Sequence, residues 1–303
     1  MKRKSDIAKL RTERRNPVAA RLDTLSAREI ARLITREDAK VAGAVRRALP
    51  AMARAIEAIA GALARGGRLI YVGAGTSGRI AALDAAECPP TFGTSPRSVQ
   101  YMIAGGRRAL DTATEGSEDS PSLGRRDLAR RKPSKRDVVV GVAASGRTPY
   151  TLAALQFARR RGAHTVAVTC NPGSPLARAA HIAIVTPVGP EAVAGSSRMK
   201  AGTAQKMVLN LLSTGAMARL GYVYGNLMVN VPTKNRKLVE RGLSILEAAA
   251  GVSRKQAQRA LRAAGMSVPV ALIMLKAGLS RAAAQRRLRL ARGHVRRAIE
   301  EGS

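Results

Sequence analysis

The sequence predicts an α/β protein, a three-layer α-β-α sandwich on a parallel sheet of about five strands. Three observations carry this reading. From Arg68 onward, short apolar runs alternate with segments of helical period. Runs such as Leu69-Ile-Tyr-Val72 and Val138-Val-Val-Gly-Val142 are apolar without alternation, as expected for strands covered on both faces. Two of them end in turns rich in glycine and hydroxyls that open a helix, Gly73-Ala-Gly-Thr-Ser-Gly78 and Ala143-Ala-Ser-Gly-Arg-Thr-Pro149.

The elements follow in order. The first dozen residues are polar and basic, and are expected to be mobile. Residues 16–67 read as helices: Ser26-x-x-Glu29 and Thr35-x-x-Asp38 fit the capping box, and Met52, Ile56, Ile59 and Leu63 keep helical spacing up to Gly66-Gly67. Strands are expected near 68–73, 98–103, 137–143, 164–169 and 182–187. Helices are expected over 77–87, 121–131, 148–161 and 197–219, the first stopped by Pro89-Pro90. Turn chemistry with little periodicity marks 221–243 as a linker, with Asn226, Pro232, Thr233 and Asn235. Ser253-x-x-Gln256, Pro269 and Ser280 then open three short helices, the last bearing Leu288, Val295 and Ile299. The expected division is an N-terminal helical segment (1–67), a sheet domain (68–220), the linker (221–243) and a small three-helix domain (244–303).

Composition limits the function classes. A chain of 303 residues with 46% apolar side chains can bury a sizeable core. No apolar stretch approaches a membrane span, and Met-Lys-Arg-Lys-Ser lacks the apolar segment of a secretory signal, so a cytoplasmic protein is expected. Two distant cysteines, Cys88 and Cys170, offer neither a disulfide framework nor a metal-ligand pair. The formal charge of +33 raises nucleic acid as a partner. Single-strand binders interleave cations with aromatic platforms, yet aromatics make up only 2% here and tryptophan is absent. The arginine surplus therefore reads as solvated surface that attracts anionic substrates, with no specific nucleic-acid partner.

The glycine turns suggest chemistry. Gly73, Gly75 and Gly78 match the dinucleotide fingerprint, but that fingerprint needs a carboxylate at the end of the next strand to hold a ribose. Val99-Gln-Tyr-Met-Ile103 instead runs into Ala-Gly-Gly. Thr76 and Ser77 place hydroxyls in the turn, which suits a phosphate monoester on the helix N-terminus. Ser145, Arg147 and Thr148 repeat the arrangement after another strand, and Gly195-Ser196-Ser197-Arg198-Met-Lys200 adds further hydroxyls and cations before a long helix. Gly75, Thr76, Ser77, Ser145, Arg147, Thr148, Ser196, Ser197 and Lys200 are thus the candidate substrate contacts. Ordinary helix capping remains open for each hydroxyl.

Carboxylates are scarce, so their placement is informative. Glu87 follows the first loop and Glu115-Gly-Ser-Glu118-Asp119 follows the second strand, which makes them candidates for an acid–base pair. A solvated helix-end residue is the competing reading of Glu87. His164 and His181 fall at strand starts, away from the loops, so neither a Cys/His nucleophile nor a histidine metal site is expected.

Taken in order, Thr12-Glu-Arg-Arg-Asn-Pro17, Leu22-Asp-Thr-Leu-Ser26, Gly73-Ala-Gly-Thr-Ser-Gly-Arg79, Ala86-Glu-Cys-Pro-Pro-Thr-Phe-Gly93, Glu115-Gly-Ser-Glu-Asp119, Ala143-Ala-Ser-Gly-Arg-Thr-Pro-Tyr150 and Gly195-Ser-Ser-Arg-Met-Lys-Ala-Gly-Thr-Ala-Gln-Lys206 resemble the bacterial N-acetylmuramic acid 6-phosphate etherases of the sugar isomerase (SIS) fold. The resemblance implies cleavage of a lactyl ether of a phosphosugar by elimination and hydration, with Glu87 and Glu118 as the acid–base groups. It implies no metal or organic cofactor, and a homodimer with its site at the interface. Ser77 to Glu87 is ten residues, about 15 Å if helical, longer than a hexose phosphate reaches, so Glu87 is expected to serve a pocket completed by another subunit. Ala86, Asn230 and Arg236 depart from the family pattern, and neither carboxylate is affected. A non-catalytic phosphosugar-binding regulator on the same fold is the alternative, and a SIS-type isomerase comes after it.

Overall fold

The computed structural model describes residues 12–112 and 116–300. The expected mobility of the N-terminal dozen, all but Thr12, and the candidate Glu115 lie outside those residues. The chain forms two compact units, 1–85 with 97–213, and 86–96 with 214–303. The divisions fall inside two helices, after Ala85 and after Ser213.

The first unit opens with two short 3-10 turns, then helices α1 (Ala27–Asp38), α2 (Lys40–Arg46) and α3 (Leu49–Ala64). Ser26 closes the expected capping box with Glu29. Thr35 does not cap: α1 runs through it, and its hydroxyl donates back to the Ala31 carbonyl at 2.8 Å. Five strands follow: β1 (Leu69–Gly73), β2 (Val99–Ile103), β3 (Val138–Val142), β4 (His164–Thr169) and β5 (Ile182–Val185). They pair in parallel in the order β2-β1-β3-β4-β5. Between them run α4 (Gly75–Phe92), α5 (Pro121–Arg130), α6 (Pro149–Arg160) and α7 (Pro175–Ala179), and α8 (Lys200–Arg219) follows β5.

Every residue of β1 and β3 is buried, as the unbroken apolar runs predict. Ile70, Val72 and Val139 share one cluster with Leu128 of α5 and Ala154 and Leu155 of α6. Tyr71, one residue out of that phase, donates its hydroxyl to Asp84 of α4 at 2.8 Å. Asp84 also accepts from Asn210 (2.7 Å) and Ser213 (3.0 Å), which ties α4 to α8 through a buried carboxylate.

At the N-terminal ends of the strands, Asp137 accepts from the Arg68 backbone N–H, from its guanidinium at 2.8 and 3.0 Å, and from the Ser134 N–H at 2.9 Å. Burial opposes the charge on Asp137, but Arg68 and Ser134 outweigh it and hold the carboxyl below the usual range. This clasp fastens β1 to β3 at the edge away from the glycine loops.

Three further expectations about helices differ from the structure. Pro89 and Pro90 lie inside α4, which ends only at Phe92. Each proline removes one bond to the carbonyl four residues back, and the helix continues past them only to Phe92, closed by the Gly93 N–H on the Pro89 carbonyl at 2.9 Å. In the second unit a helix, α9 (Arg236–Ala250), begins inside the expected linker and takes its last eight residues, capped by the Asn235 side chain on the Leu238 N–H at 2.9 Å. Then come α10 (Arg254–Ala263) and α11 (Val268–Ala277), close to expectation, and the expected third helix divides into α12 (Arg281–Leu290) and α13 (Val295–Glu300). The break has a local cause: Arg292 and Gly293 adopt φ of +52° and +86°. Leu246, Leu261, Leu272, Ile273 and Val295 form the core of this unit. Among the described residues no single helix is long and apolar enough to cross a membrane.

Candidate active site

The strand order places the first glycine loop where a crevice is expected. From β1 the chain steps to β2 on one side and to β3 on the other, so the loops after β1 and β3 part at the C-terminal edge. Gly73 is level with Val142 in the ladder, which sets the two anion loops side by side.

The first loop is tight enough to dictate glycine at three positions. A Cβ on Gly73 would lie 2.8 Å from the Gly78 backbone nitrogen, and one on Gly78 would lie 2.5 Å from Ile103 Cγ1. Gly75 has φ of +51° with open space around it. The first i→i−4 bond of the turn is Gly78 N–H to Ala74 at 3.2 Å, so the N–H groups of Gly75, Thr76 and Ser77 stand ahead of the helical ladder. Thr76 and Ser77 are half-buried, and the Ser77 hydroxyl donates to Gln205 Oε1 of α8 at 3.0 Å.

In the second loop Gly146 has φ of +66°, and a Cβ there would meet Ser174 Oγ at 2.2 Å and Thr169 Oγ1 at 2.6 Å. The capping alternative can be decided here. Thr148 is the N-cap of α6 but makes no side-chain capping bond. Ser145 Oγ accepts from the Arg147 N–H at 3.2 Å, which leaves its own O–H to donate. Ser120 and Ser174 likewise accept, from the Leu123 and Ala177 N–H groups, but as the N-caps of α5 and α7, whereas Ser145 lies ahead of the α6 N-cap. Arg147 is exposed.

The third cluster divides. Ser196 and Ser197 are half-buried, in a loop turned at Gly195 (φ +77°). Lys200 is only 2% exposed, and its ammonium is paired with Glu37 rather than offered to a ligand. Glu37 also accepts from Asn16 at 3.0 Å and pairs with Lys40. Burial opposes the charge on Glu37, yet Lys200, Lys40 and Asn16 together hold its carboxyl at about 2. Glu191, 1% exposed, accepts from the Lys200 and Ala201 N–H groups at 3.0 and 2.9 Å and so caps α8. Burial pushes its carboxyl up, against those two N–H groups. Sequence reasoning missed Glu37, Glu191 and Asn16 as a group. Only Glu191, a carboxylate between Pro190 and Ala192, carried a local signal; Glu37 lies between Arg36 and Asp38 and Asn16 follows Arg15, so neither stands out in the sequence.

Glu118 is exposed in the turn before α5, and its backbone carbonyl accepts from the Tyr150 N–H at 3.0 Å. That bond anchors the Glu118 turn to the first residues of α6, two positions beyond Thr148. Glu87 is exposed on α4, past the division between the units. The structure therefore brings the two hydroxyl loops and the Glu118 turn to one edge. Cys88 and Cys170 are buried and not joined in a disulfide, and burial pushes the Cys170 thiol up to about 12. His164 and His181 stack at 4.8 Å, His164 starting β4 and His181 directly preceding β5. Among the described residues no group of three or more His, Cys, Asp or Glu side chains is placed to hold a metal ion.

Comparison with known proteins bears on this edge. The model of the glucokinase regulatory protein N-terminal SIS domain matches residues 51–159, and that of the SIS domain matches 131–215. The N-acetylmuramic acid 6-phosphate etherase of Vibrio vulnificus is 51% identical over 298 residues, 98% of this chain and 99% of its own. That of Edwardsiella ictaluri is 53% identical over 290 residues, 96% and 97% of the two chains. Among solved structures, a putative phosphosugar isomerase involved in capsule formation from Bacteroides fragilis superposes with a TM-score of 0.50 at 20% identity, covering 66% of this chain and 95% of its own, a likeness of fold.

Proposed function

Because the chain belongs to the N-acetylmuramic acid 6-phosphate etherase family, its role is that of a carbon–oxygen lyase in amino-sugar recycling, and we propose how its residues divide the work. The substrate phosphate sits on the N-terminus of α4, between the loop Gly75-Thr76-Ser77 and the loop Ser145-Gly146-Arg147-Thr148. The observation that carries this assignment is that the hydroxyls of Ser145 and Thr148, at the strand end next to β1, are not used for capping. A phosphate oxygen accepts such hydrogens, and α4 adds unpaired N–H groups and the positive end of its dipole. Ser196 and Ser197 extend the wall toward the sugar. Lys200 is withdrawn from direct contact and holds that loop in place through Glu37.

The chemistry needs an acid and a base. An alkyl ether does not leave unaided, but the open-chain aldehyde acidifies the proton on C2. Glu118 removes that proton; the C2–C3 double bond forms as the C3–O bond breaks, and Glu87 donates a proton to the departing D-lactate oxygen. Water then adds its oxygen to C3 and a proton returns to C2, giving N-acetylglucosamine 6-phosphate. By helical rise Glu87 lies about 15 Å along α4 from Ser77, so it serves the pocket of a second copy in a homodimer, and its own pocket receives the partner's carboxyl group.

The test is release of D-lactate from N-acetylmuramate 6-phosphate. Glu87→Gln and Glu118→Gln are each expected to lower kcat by about 10²–10⁴-fold while phosphosugar binding persists. In deuterated water the product should carry deuterium at C2. Retention of full kcat in either variant would remove that residue from the acid–base pair. Binding of the phosphosugar without any lactate release would favour the regulator alternative, for which the match to the glucokinase regulatory domain is the supporting observation.

A further inference from the structure

One buried group near the phosphate loop has no task in this account, which rests on Ser77 contacting the phosphate. Gln205, on the second turn of α8, is 1% exposed; its Oε1 accepts from Ser77 Oγ at 3.0 Å, and its Nε2 has no hydrogen-bond partner. The approach of the two helices is set one turn earlier. Gly202, without a side chain, brings α8 to 3.6 Å from Thr76 Cγ2 and 3.7 Å from Ile80 Cδ1, measured from where a Cβ would stand.

A serine hydroxyl has one hydrogen. Given to Gln205, that hydrogen is withheld from the phosphate, and Ser77 presents only lone pairs to an anion. A half-turn of the Gln205 amide exchanges its oxygen and nitrogen within the same volume. The nitrogen then donates to Ser77 Oγ, so the unpartnered N–H group finds an acceptor and the Ser77 hydrogen is released toward the ligand. We propose that Gln205 is a positioning residue for the phosphate, whose amide accepts from Ser77 in the arrangement seen here and donates to it when a phosphate monoester is bound. An amide can do both by turning over, whereas a carboxylate only accepts.

The test compares KM and kcat for D-lactate release in Gln205→Glu, Gln205→Met, Ser77→Ala and the double variant Ser77→Ala/Gln205→Glu. Gln205→Glu, nearly isosteric, should capture the Ser77 hydrogen permanently and raise KM tenfold or more, with kcat within about threefold. Gln205→Met leaves the hydroxyl free and should raise KM less than threefold. The penalty of the glutamate should shrink at least threefold in the Ser77→Ala background, because there is no hydroxyl to capture. Equal effects of Glu and Met, or an undiminished penalty without Ser77, would overturn the proposal in favour of simple packing or charge repulsion. If Ser77→Ala raises KM while Gln205→Glu does not, Gln205 loses its role and the phosphate contact stands; if Ser77→Ala leaves KM unchanged, the contact itself fails and the proposal with it. An independent readout avoids variants that misfold. In the unaltered protein, the Gln205 side-chain amide NMR signal, assigned by its absence in Gln205→Met, should shift on saturation with N-acetylglucosamine 6-phosphate. An unmoved signal would overturn the proposal.

Discussion

Replacing Gly146 by alanine should damage the second anion loop in two separable ways. The residue sits at φ of +66°, and the added methyl would lie 2.2 Å from Ser174 Oγ and 2.6 Å from Thr169 Oγ1, both on buried residues. Left-handed backbone costs an L-residue about 1–2 kcal/mol, and overpacking a filled site costs about 1–3 kcal/mol more, for about 2–5 kcal/mol together. Gly75→Ala is the matched control: its φ is +51° but nothing lies within 4 Å of the new methyl, so only the conformational cost of about 1–2 kcal/mol applies. Thermal unfolding of the two variants beside the parent should show Gly146→Ala falling further, at about 2–4 °C per kcal/mol for a unit of this size. Because Ser174 caps α7 on the Ala177 N–H, hydrogen exchange of α7 should rise in Gly146→Ala alone. Steady-state lactate release should show a raised KM, since Ser145 and Thr148 flank the displaced residue. Equal unfolding temperatures for the two alanine variants would refute the argument that the contact with Ser174, rather than the backbone angle, dominates at Gly146.

Other outcomes follow from the same geometry. Thr148→Ala should cost less than about 0.5 kcal/mol, because no capping bond is lost, yet raise KM; Ser120→Ala, which does lose a cap, should cost about 1 kcal/mol in urea unfolding. Glu37→Gln removes one partner of a buried pair and should destabilise by about 3–5 kcal/mol at pH 7. The sign of its pH dependence is fixed by a folded-state carboxyl near 2, below its unfolded value: the contribution is present above about pH 4.5 and is lost as pH falls toward 2, so parent and variant should converge in urea titrations across that window. Mixing Glu87→Gln chains with Ser77→Ala/Ser145→Ala chains should restore activity in mixed dimers, and failure to do so would withdraw the sharing of Glu87 between subunits.

The sheet and its anion loops were legible because their signals are local. Five continuous apolar runs gave five strands within two residues at each end, and Ser26 and Ser253 gave their capping boxes. Thr35 misled because a threonine inside a helix can bond back to the preceding turn as readily as it can cap a new one. Pro89 and Pro90 misled by a few residues: each lacks a donor, but their carbonyls still accept, and the Gly93 N–H on Pro89 carries α4 to Phe92. The linker assignment failed at Asn235, a cap residue read as a turn. At the site, the hydroxyl positions were legible but their availability was not. That Ser145 accepts from the Arg147 N–H rather than capping α6 is set by the fold of the turn, and whether Lys200 faces a ligand or Glu37 depends on a contact 163 residues away in sequence.

The Arg68–Asp137 clasp gives the sheet a fastening edge opposite its working edge. Each strand between them is about five residues, roughly 17 Å, some two screening lengths at physiological salt. Solvent-exposed charges gathered at the fastening edge are therefore largely screened from a phosphate at the other. Exposed charges can thus be added at that edge, for heat tolerance, without retuning the chemistry at the other.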